Sequence, residues 1–368
     1  MKPLFRKVVI IGVGLIGGSL GTVLVNRGLA GRVTGVDTDS ANLDLALELE
    51  AIHDTSPTPE KAVTGADLVV VSVPVGITID IIRRIAPFLE QGCIVTDVGS
   101  TKSRIVREAR EVMPEGTYFV GGHPMTGSET AGVKGADKYL FENAVYILTP
   151  APGTDREALA VVREMAGALG SNVIEMDPDE HDLMVAAVSH IPHLIATALV
   201  NTAGELQEDH KGLFLLAAGG FRDTTRIASG HPLMWKDICL TNKENILIVI
   251  DRFRAVLDRT AKLIAECDDK GLEIELANAR ELRRNIPSKM RGYLPLVHEI
   301  VVTVPDKPGV IANLAGSLGD ENININDIEI LRVREGEGGT IRLALGSEDD
   351  VVRALEILKE KGITVKRK

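Results

Sequence analysis

The sequence predicts three structural classes in succession: an α/β unit on a largely parallel sheet, an all-helical unit, and a small ferredoxin-like βαββαβ plait. Short β-branched runs alternate with longer helical patterns from residue 7 to about residue 177. Strand signals then fade from 178 to about 285, and from residue 298 strand and helix signals return in the order βαββαβ. A chain of 368 residues has room for between two and three domains at roughly 150 residues each.

Taken in order, the strands of the first unit are predicted at residues 7–11, 33–37, 68–73, 94–98, 118–120, 144–148 and 172–176, with helices in most of the gaps. Asp177, Pro178 and Glu180 form an N-cap, N1 and N3 set that opens the helical unit, 178–285. Residues 286–297 mix Pro, Gly and basic residues without periodicity and read as a linker. The last unit, 298–368, alternates from His298, turns at Asp306 to Gly309, and then runs helix, two strands, helix and strand.

Composition narrows the function classes. Apolar residues at 45% and charged residues at 25% describe a globular chain. The net charge of −11, with no concentrated basic patch, argues against a nucleic-acid or anionic-membrane partner. Three scattered cysteines with no CxxC pair indicate neither a disulfide framework nor a structural zinc site, which fits a reducing, cytoplasmic setting. The N-terminal apolar run is broken by glycines where a signal peptide would continue, and no apolar run approaches the roughly 18 residues of a membrane span.

Gly12, Gly14 and Gly17 form GxGxxG between the first strand and a helix that includes Leu15 and Ile16. Gly12 makes the turn, Gly14 lets a pyrophosphate approach the backbone, and Gly17 lets helix and strand pack closely, so the first unit is predicted to be a Rossmann domain. Asp37, twenty positions after Gly17, can accept both ribose hydroxyls and would repel a 2′-phosphate. No Arg follows at Thr38, Asp39 or Ser40, so NAD is expected over NADP. The lesser alternative is that Asp37 only caps a turn. Val73 and Pro74 fall at the carboxyl rim of the sheet, where Pro74 also serves simply to stop a strand.

Together with this fingerprint, Gly-Gly-His-Pro-Met-Thr-Gly-Ser-Glu at 121–129 resembles the prephenate dehydrogenase family of tyrosine biosynthesis. The likeness continues through Asp-Val-Gly-Ser-Thr-Lys at 97–102, Ser-His-Ile-Pro-His at 189–193, Gly-Gly-Phe-Arg-Asp-Thr-Thr-Arg-Ile-Ala at 219–228 and Met234-Trp235, covering residues 7 to about 285. Asp-Lys-Pro-Gly-Val-Ile-Ala at 306–312 resembles an ACT domain, a module that often binds amino acids between two copies. The resemblance implies a homodimer that converts prephenate and NAD+ to 4-hydroxyphenylpyruvate, with hydride leaving C4 and the carboxylate lost.

By that resemblance His123 draws off the 4-hydroxyl proton, Ser100 orients it, Arg226 binds a substrate carboxylate and Glu129 gates the pocket. His190 is favoured over His193 as the pocket histidine, and Trp235 reaches toward the active site across the dimer interface. Read from the residues alone, His123 lies in a rigid loop after a strand, Ser100 is a natural helix N-cap, and Asp223 sits one helical turn from Arg226, as its orienting partner or in a surface ion pair. Glu129 is as consistent with exposed surface and Trp235 with core. Lys102 and Lys236 either steer a dianionic substrate or are solvated. His190 and His193 share a helix face with Pro192 between them, and without a third ligand they indicate no metal site.

In the tail, Asp306, Gly309, Val310 and Asn324, with Asn322 and Asn326, are the expected contacts for an effector, tyrosine by hypothesis, unless the plait only dimerises. Two rivals share parts of this pattern. Arogenate dehydrogenase differs by an amine on the substrate side chain, and β-hydroxyacid dehydrogenases use a helix lysine in place of a loop histidine. A sensor that binds NAD and amino acids without turnover would have no use for a proton acceptor.

Overall fold

Strand β1 (Phe5–Ile11) shows why the chain opens on an unbroken apolar run. In the computed structural model, which describes residues 3–127, 130, 132–286, 298–305, 307–334 and 338–367, Val8 and Ile10 enter one buried cluster and Val9 and Ile11 another. A strand covered by helices on both faces has no polar side to alternate with, and each such side chain contributes about 1.5–3 kcal/mol on burial. Around it lie β2 (Ala30–Val36), β3 (Asp54–Thr55), β4 (Leu68–Val71), β5 (Ile94–Asp97), β6 (Tyr118–Pro124), β7 (Val145–Thr149) and β8 (Asn172–Glu175). Their order, β3-β2-β1-β4-β5-β6-β7-β8, places β2 and β4 on either side of β1. This is the doubly wound arrangement whose switch point lies at the carboxyl end of β1.

Three features of this sheet differ from expectation. The two-residue β3 is too short to leave a periodic signal. β6 pairs antiparallel with β7, so the sheet is mixed. β6 also continues through His123 to Pro124, so His123 is a strand residue paired with Ile147 rather than a loop residue. Ladder bonds to β7 hold it there, and the glycines at 121 and 122 leave no side-chain bulk against Tyr146 and Thr149.

The sheet is covered by α1 (Leu15–Asn26), α2 (Ser40–Glu48), α3 (Pro59–Val63), α4 (Thr78–Ile85), α5 (Ser103–Val112) and α6 (Arg156–Ala168). Next come α7 (Pro178–Val185), a π turn (Ala186–His190), α8 (Ile191–Asp209), α9 (Gly219–Thr225), α10 (Pro232–Thr241), α11 (Lys243–Ala265) and α12 (Asp269–Asn285). Asp177 caps α7 by accepting from the N–H groups of Asp179 and Glu180. Pro192 has no N–H to offer the preceding turn, and the helix widens into the π turn just before it.

From Pro178 to Asp209 the helix runs 32 residues with a mean hydropathy of 1.8 in its most apolar window, long and apolar enough to cross a membrane. This corrects the expectation that no apolar run reaches that length. His181, Asp182 and His190 are nevertheless buried on this helix among polar partners. The helical part has a thin core around Ala186, Ile191 and Ile246, and it leaves Leu215 90% and Leu216 84% exposed.

The chain divides into two compact units, Met1–Gly292 and Tyr293–Lys368. The expected linker lies outside the described residues except for Ile286. The second unit is β9 (His298–Val304), α13 (Val310–Gly319), β10 (Ile325–Arg334), β11 (Gly338–Leu345), α14 (Glu348–Glu360) and β12 (Thr364–Arg367), in sheet order β10-β11-β9-β12. That is the βαββαβ plait. Leu314 and Leu318 of α13 and Val351, Ala354 and Leu358 of α14 pack on Ile300, Val302, Ile341 and Leu343.

Candidate active site

The turn after β1 is built as a phosphate cradle. Gly12 has φ +93° and lies so close to Ser72 that a Cβ would fall 2.2 Å from its carbonyl oxygen, while a Cβ on Gly17 would meet the Gly12 carbonyl at 2.1 Å. At Gly14, by contrast, no atom lies within 4 Å of where a Cβ would be, so the backbone face is open. Gly14 is the N-cap of α1 and offers no side-chain cap, which leaves the first N–H groups of the helix to a ligand.

Asp37 accepts from the N–H of Val13 at 2.8 Å and of Asp39 at 3.0 Å, which aims it at the cradle. A cavity of about 520 Å³ is lined by Gly12, Gly14, Asp37, Val73 and Pro74. Arg84 also lines it, but Glu60 engages that guanidinium through two hydrogen bonds, so the cation is already neutralised. The fit is to a dinucleotide with a free 2′-hydroxyl.

A second cavity, about 820 Å³, continues from the first through Gly14 and Ser72 and takes in Leu15, Ile16, Arg226 and Trp235. Gly127 and Thr130, which follow β6, line it as well. The His193 ring stacks on Trp235 with centroids 3.6 Å apart, and Gly230 packs where any side chain would strike Trp235. His193 Nδ1 is buried without a hydrogen-bond partner. His190 lies edge-on to Trp235 at 6.2 Å, but its Nδ1 is taken by Asn242 at 3.2 Å and burial pushes it down to about 4. Asn242, on a distant segment, ties His190 into the interior, whereas His193 backs the tryptophan that lines the cavity.

His123 is buried, and its Nδ1 lies 2.8 Å from His181 Nε2. His181 Nδ1 in turn lies 2.8 Å from Asp182 Oδ1. The partner of His123 is therefore His181 and not Ser100. Burial, with the neighbouring His181, Lys102 and His190, holds His123 well below the ordinary imidazole range, so it is neutral. Ser100 is not a helix cap either. Helix α5 begins at Ser103, and its N–H groups at Lys102 and Ser103 are capped by Asp182 at 2.7 and 2.9 Å.

Lys102 is neither steering nor solvated. It is fully buried, paired with Asp97, and donates to the Gly122 carbonyl at 2.9 Å. Asp97 accepts the Gly122 N–H at 3.3 Å, so the pair grips both sides of the residue before His123. Asp223 is exposed on α9 and forms no ion pair with any described residue, so it does not orient Arg226 here. Lys236 is largely exposed and pairs with Asp237. Glu129 lies outside the described residues. Among the described residues no cluster of His, Cys, Asp and Glu is arranged to hold a metal.

Sequence reasoning missed His181, Asp182 and Asn242. The adjacent His-Asp pair, just inside a well-capped helix and carrying no amphipathic role, was the available signal.

A glycine cradle, a cradle-facing aspartate and a neutral histidine on the strand that leads to Gly127 of the adjoining cavity define a dinucleotide-dependent oxidoreductase with a helical partner segment. The family model described as "Prephenate dehydrogenase, nucleotide-binding domain" matches residues 20–175, that for its dimerization domain residues 177–278, and that for an ACT domain residues 298–362. The prephenate dehydrogenase of Bacillus subtilis is 36% identical, the match covering 98% of this chain and 97% of that one. That of Lactococcus lactis is 34% identical over 96% and 98%. Among solved structures, the Aquifex aeolicus prephenate dehydrogenase in complex with hydroxyphenyl propionate and NAD+ superposes with a TM-score of 0.72 at 34% identity, covering 76% of this chain and 98% of that one. Synechocystis arogenate dehydrogenase gives 0.67 at 31%, over 76% and 99%. This chain belongs to the prephenate dehydrogenase family.

Proposed function

We infer that this chain catalyses the oxidative decarboxylation of prephenate to 4-hydroxyphenylpyruvate with NAD+. The observation that carries the reading is the neutral, buried His123 with Nδ1 engaged, four residues before Gly127 of the cavity that also holds Arg226. When bound, NAD+ supplies the hydride acceptor. His123 Nε2 takes the proton of the 4-hydroxyl as the C4–H electron pair departs, which leaves a ring ketone conjugated to the carbon bearing the carboxylate. The C–CO2 electron pair then flows into the ring, which becomes aromatic, and the phenolate oxygen recovers the proton from His123. The proton is borrowed and returned, so no net acid or base is consumed. Arg226 offers a fork of N–H donors for a carboxylate. Trp235, backed by the stacked His193, forms one wall.

Purified protein given prephenate and NAD+ should produce NADH, followed by absorbance. Turnover of arogenate alone would move the substrate assignment to the amine-bearing analogue. Gly14→Val tests the cofactor half. With open space at that Cβ the variant should fold with an unchanged melting midpoint. Loss of one charge-assisted pyrophosphate bond, about 1.5–3 kcal/mol, should raise Kd for NAD+ roughly tenfold or more.

We place the domain boundaries near residue 177, where the matched family segments meet and Asp177 caps α7, and near residue 286, where α12 ends. The exposed Leu215 and Leu216 and the family's dimerization segment support a homodimer. The free cysteines support a cytoplasmic setting. Tyrosine is our candidate effector for the ACT unit. Gly309, in the left-handed region at φ +84°, precedes Val310 at the start of α13, leaving helix N–H groups for a carboxylate, and Asn324 is exposed and bonded to Asn326. Asp306 lies outside the described residues. Titrated tyrosine should lower turnover of the full chain, and a rate that does not respond, with no tyrosine binding, would refute this.

A further inference from the structure

His123, His181 and Asp182 form a chain whose proton positions are dictated from one end. Asp182 accepts the N–H of Lys102 at 2.7 Å and of Ser103 at 2.9 Å, so its carboxyl is already turned to backbone donors. Burial alone would raise it, but the bonds from His181 and from these two N–H groups outweigh that and hold it below the usual carboxylate range. Asp182 is thus an ionised acceptor, and His181 Nδ1, 2.8 Å away, must carry hydrogen. Neutral His181 then has only a lone pair at Nε2, so His123 Nδ1, 2.8 Å from it, is the donor. The lone pair of His123 is left on Nε2.

We propose that His181 and Asp182 are positioning residues for the reaction. They fix His123 as the Nδ1–H tautomer and share the positive charge when its Nε2 takes the 4-hydroxyl proton. Asp182 stabilises the cation that this sharing places on His181. The other groups facing the chain are Lys102, which precedes α5, and His190 in the π turn. Asp97 pairs with Lys102, and Tyr146 of β7 lies beside it. Lys102 and His190 disfavour a proton on His123. Asp182 and His181 act on His190 in opposite senses.

This rests on His123 being the base in the proposed reaction, and the test separates the two claims. In His181→Gln the amide oxygen can still accept from His123 Nδ1, so the tautomer survives, but the imidazole that shares the charge is gone. His181→Leu removes both. We expect His181→Leu to lose roughly 10- to 100-fold in kcat, less than the full general-base contribution, with KM for prephenate and NAD+ near wild type. His181→Gln should recover most of the rate. Imidazole 15N shifts of histidine-labelled protein should show His123 protonated at Nδ1 in wild type and His181→Gln and mixed in His181→Leu. An Nε2–H His123 in wild type would overturn the proposal whether or not the enzyme turns over. So would equal rate losses in both variants, the result a purely structural role predicts. Failure of wild type on both prephenate and arogenate would instead overturn the functional reading, leaving the tautomer measurement to judge the relay.

Discussion

His123→Asn is expected to lower kcat by roughly 10²- to 10⁴-fold, the ordinary worth of a positioned general base, while KM for prephenate and NAD+ stays near wild type. Asparagine suits the test because its amide N–H can still donate to His181 Nε2, so the buried contact survives and only the basic Nε2 is removed. The melting midpoint should therefore change little. With His123 held well below the ordinary imidazole range, the wild-type acid limb in kcat/KM should lie below about pH 6.5, activity being present above it and lost as pH falls. That limb should disappear in the variant. A kcat within tenfold of wild type would show that another group takes the proton and would reopen the lysine-based alternative among Rossmann oxidoreductases.

What the sequence made legible was local. The glycine turn could be read because strand, turn and helix start are contiguous and each glycine has a steric reason that its neighbours supply. Asp177 could be read as a cap for the same reason, and the βαββαβ tail because its strands and helices alternate at ordinary periods. The hydrogen-bonded machinery could not. His123 and His181 are 58 positions apart, and His190 and Asn242 are 52 apart. Nothing in the spacing of either pair signals a contact that depends on how α7 and the π turn lie against α5 and β6. Ser100 stands where a natural cap would, just before a helix, yet the cap is supplied by Asp182 from another helix. Lysine near a catalytic motif is usually solvated, and only the packing of β5 against β6 shows that Lys102 is fully buried.

That buried lysine carries the largest expected effect on stability. Lys102 and Asp97 are both 0% exposed, and they meet beside the backbone of Gly122. Burial pulls the lysine down from its ordinary value while Asp97 holds it up, so the pair is sustained by mutual charge and hydrogen bonding and not by solvent. Lys102→Met keeps the length and apolar bulk of the side chain but leaves a buried carboxylate without its cation. Breaking such a pair from one side costs about 3–5 kcal/mol, a large share of the 5–15 kcal/mol by which a folded domain is ordinarily stable. The denaturation midpoint should fall steeply, and kcat should fall with it, because the strand residue preceding His123 loses the donor to its carbonyl. The double variant Lys102→Met/Asp97→Asn removes both charges and should recover most of the stability, since replacing a buried pair by neutral groups is often neutral or stabilising. Its kcat should stay below wild type, because Gly122 still lacks its lysine donor. A single variant as stable as wild type would mean that Asp97 finds other compensation. A double variant as active as wild type would mean that the grip on Gly122 does not set the position of His123.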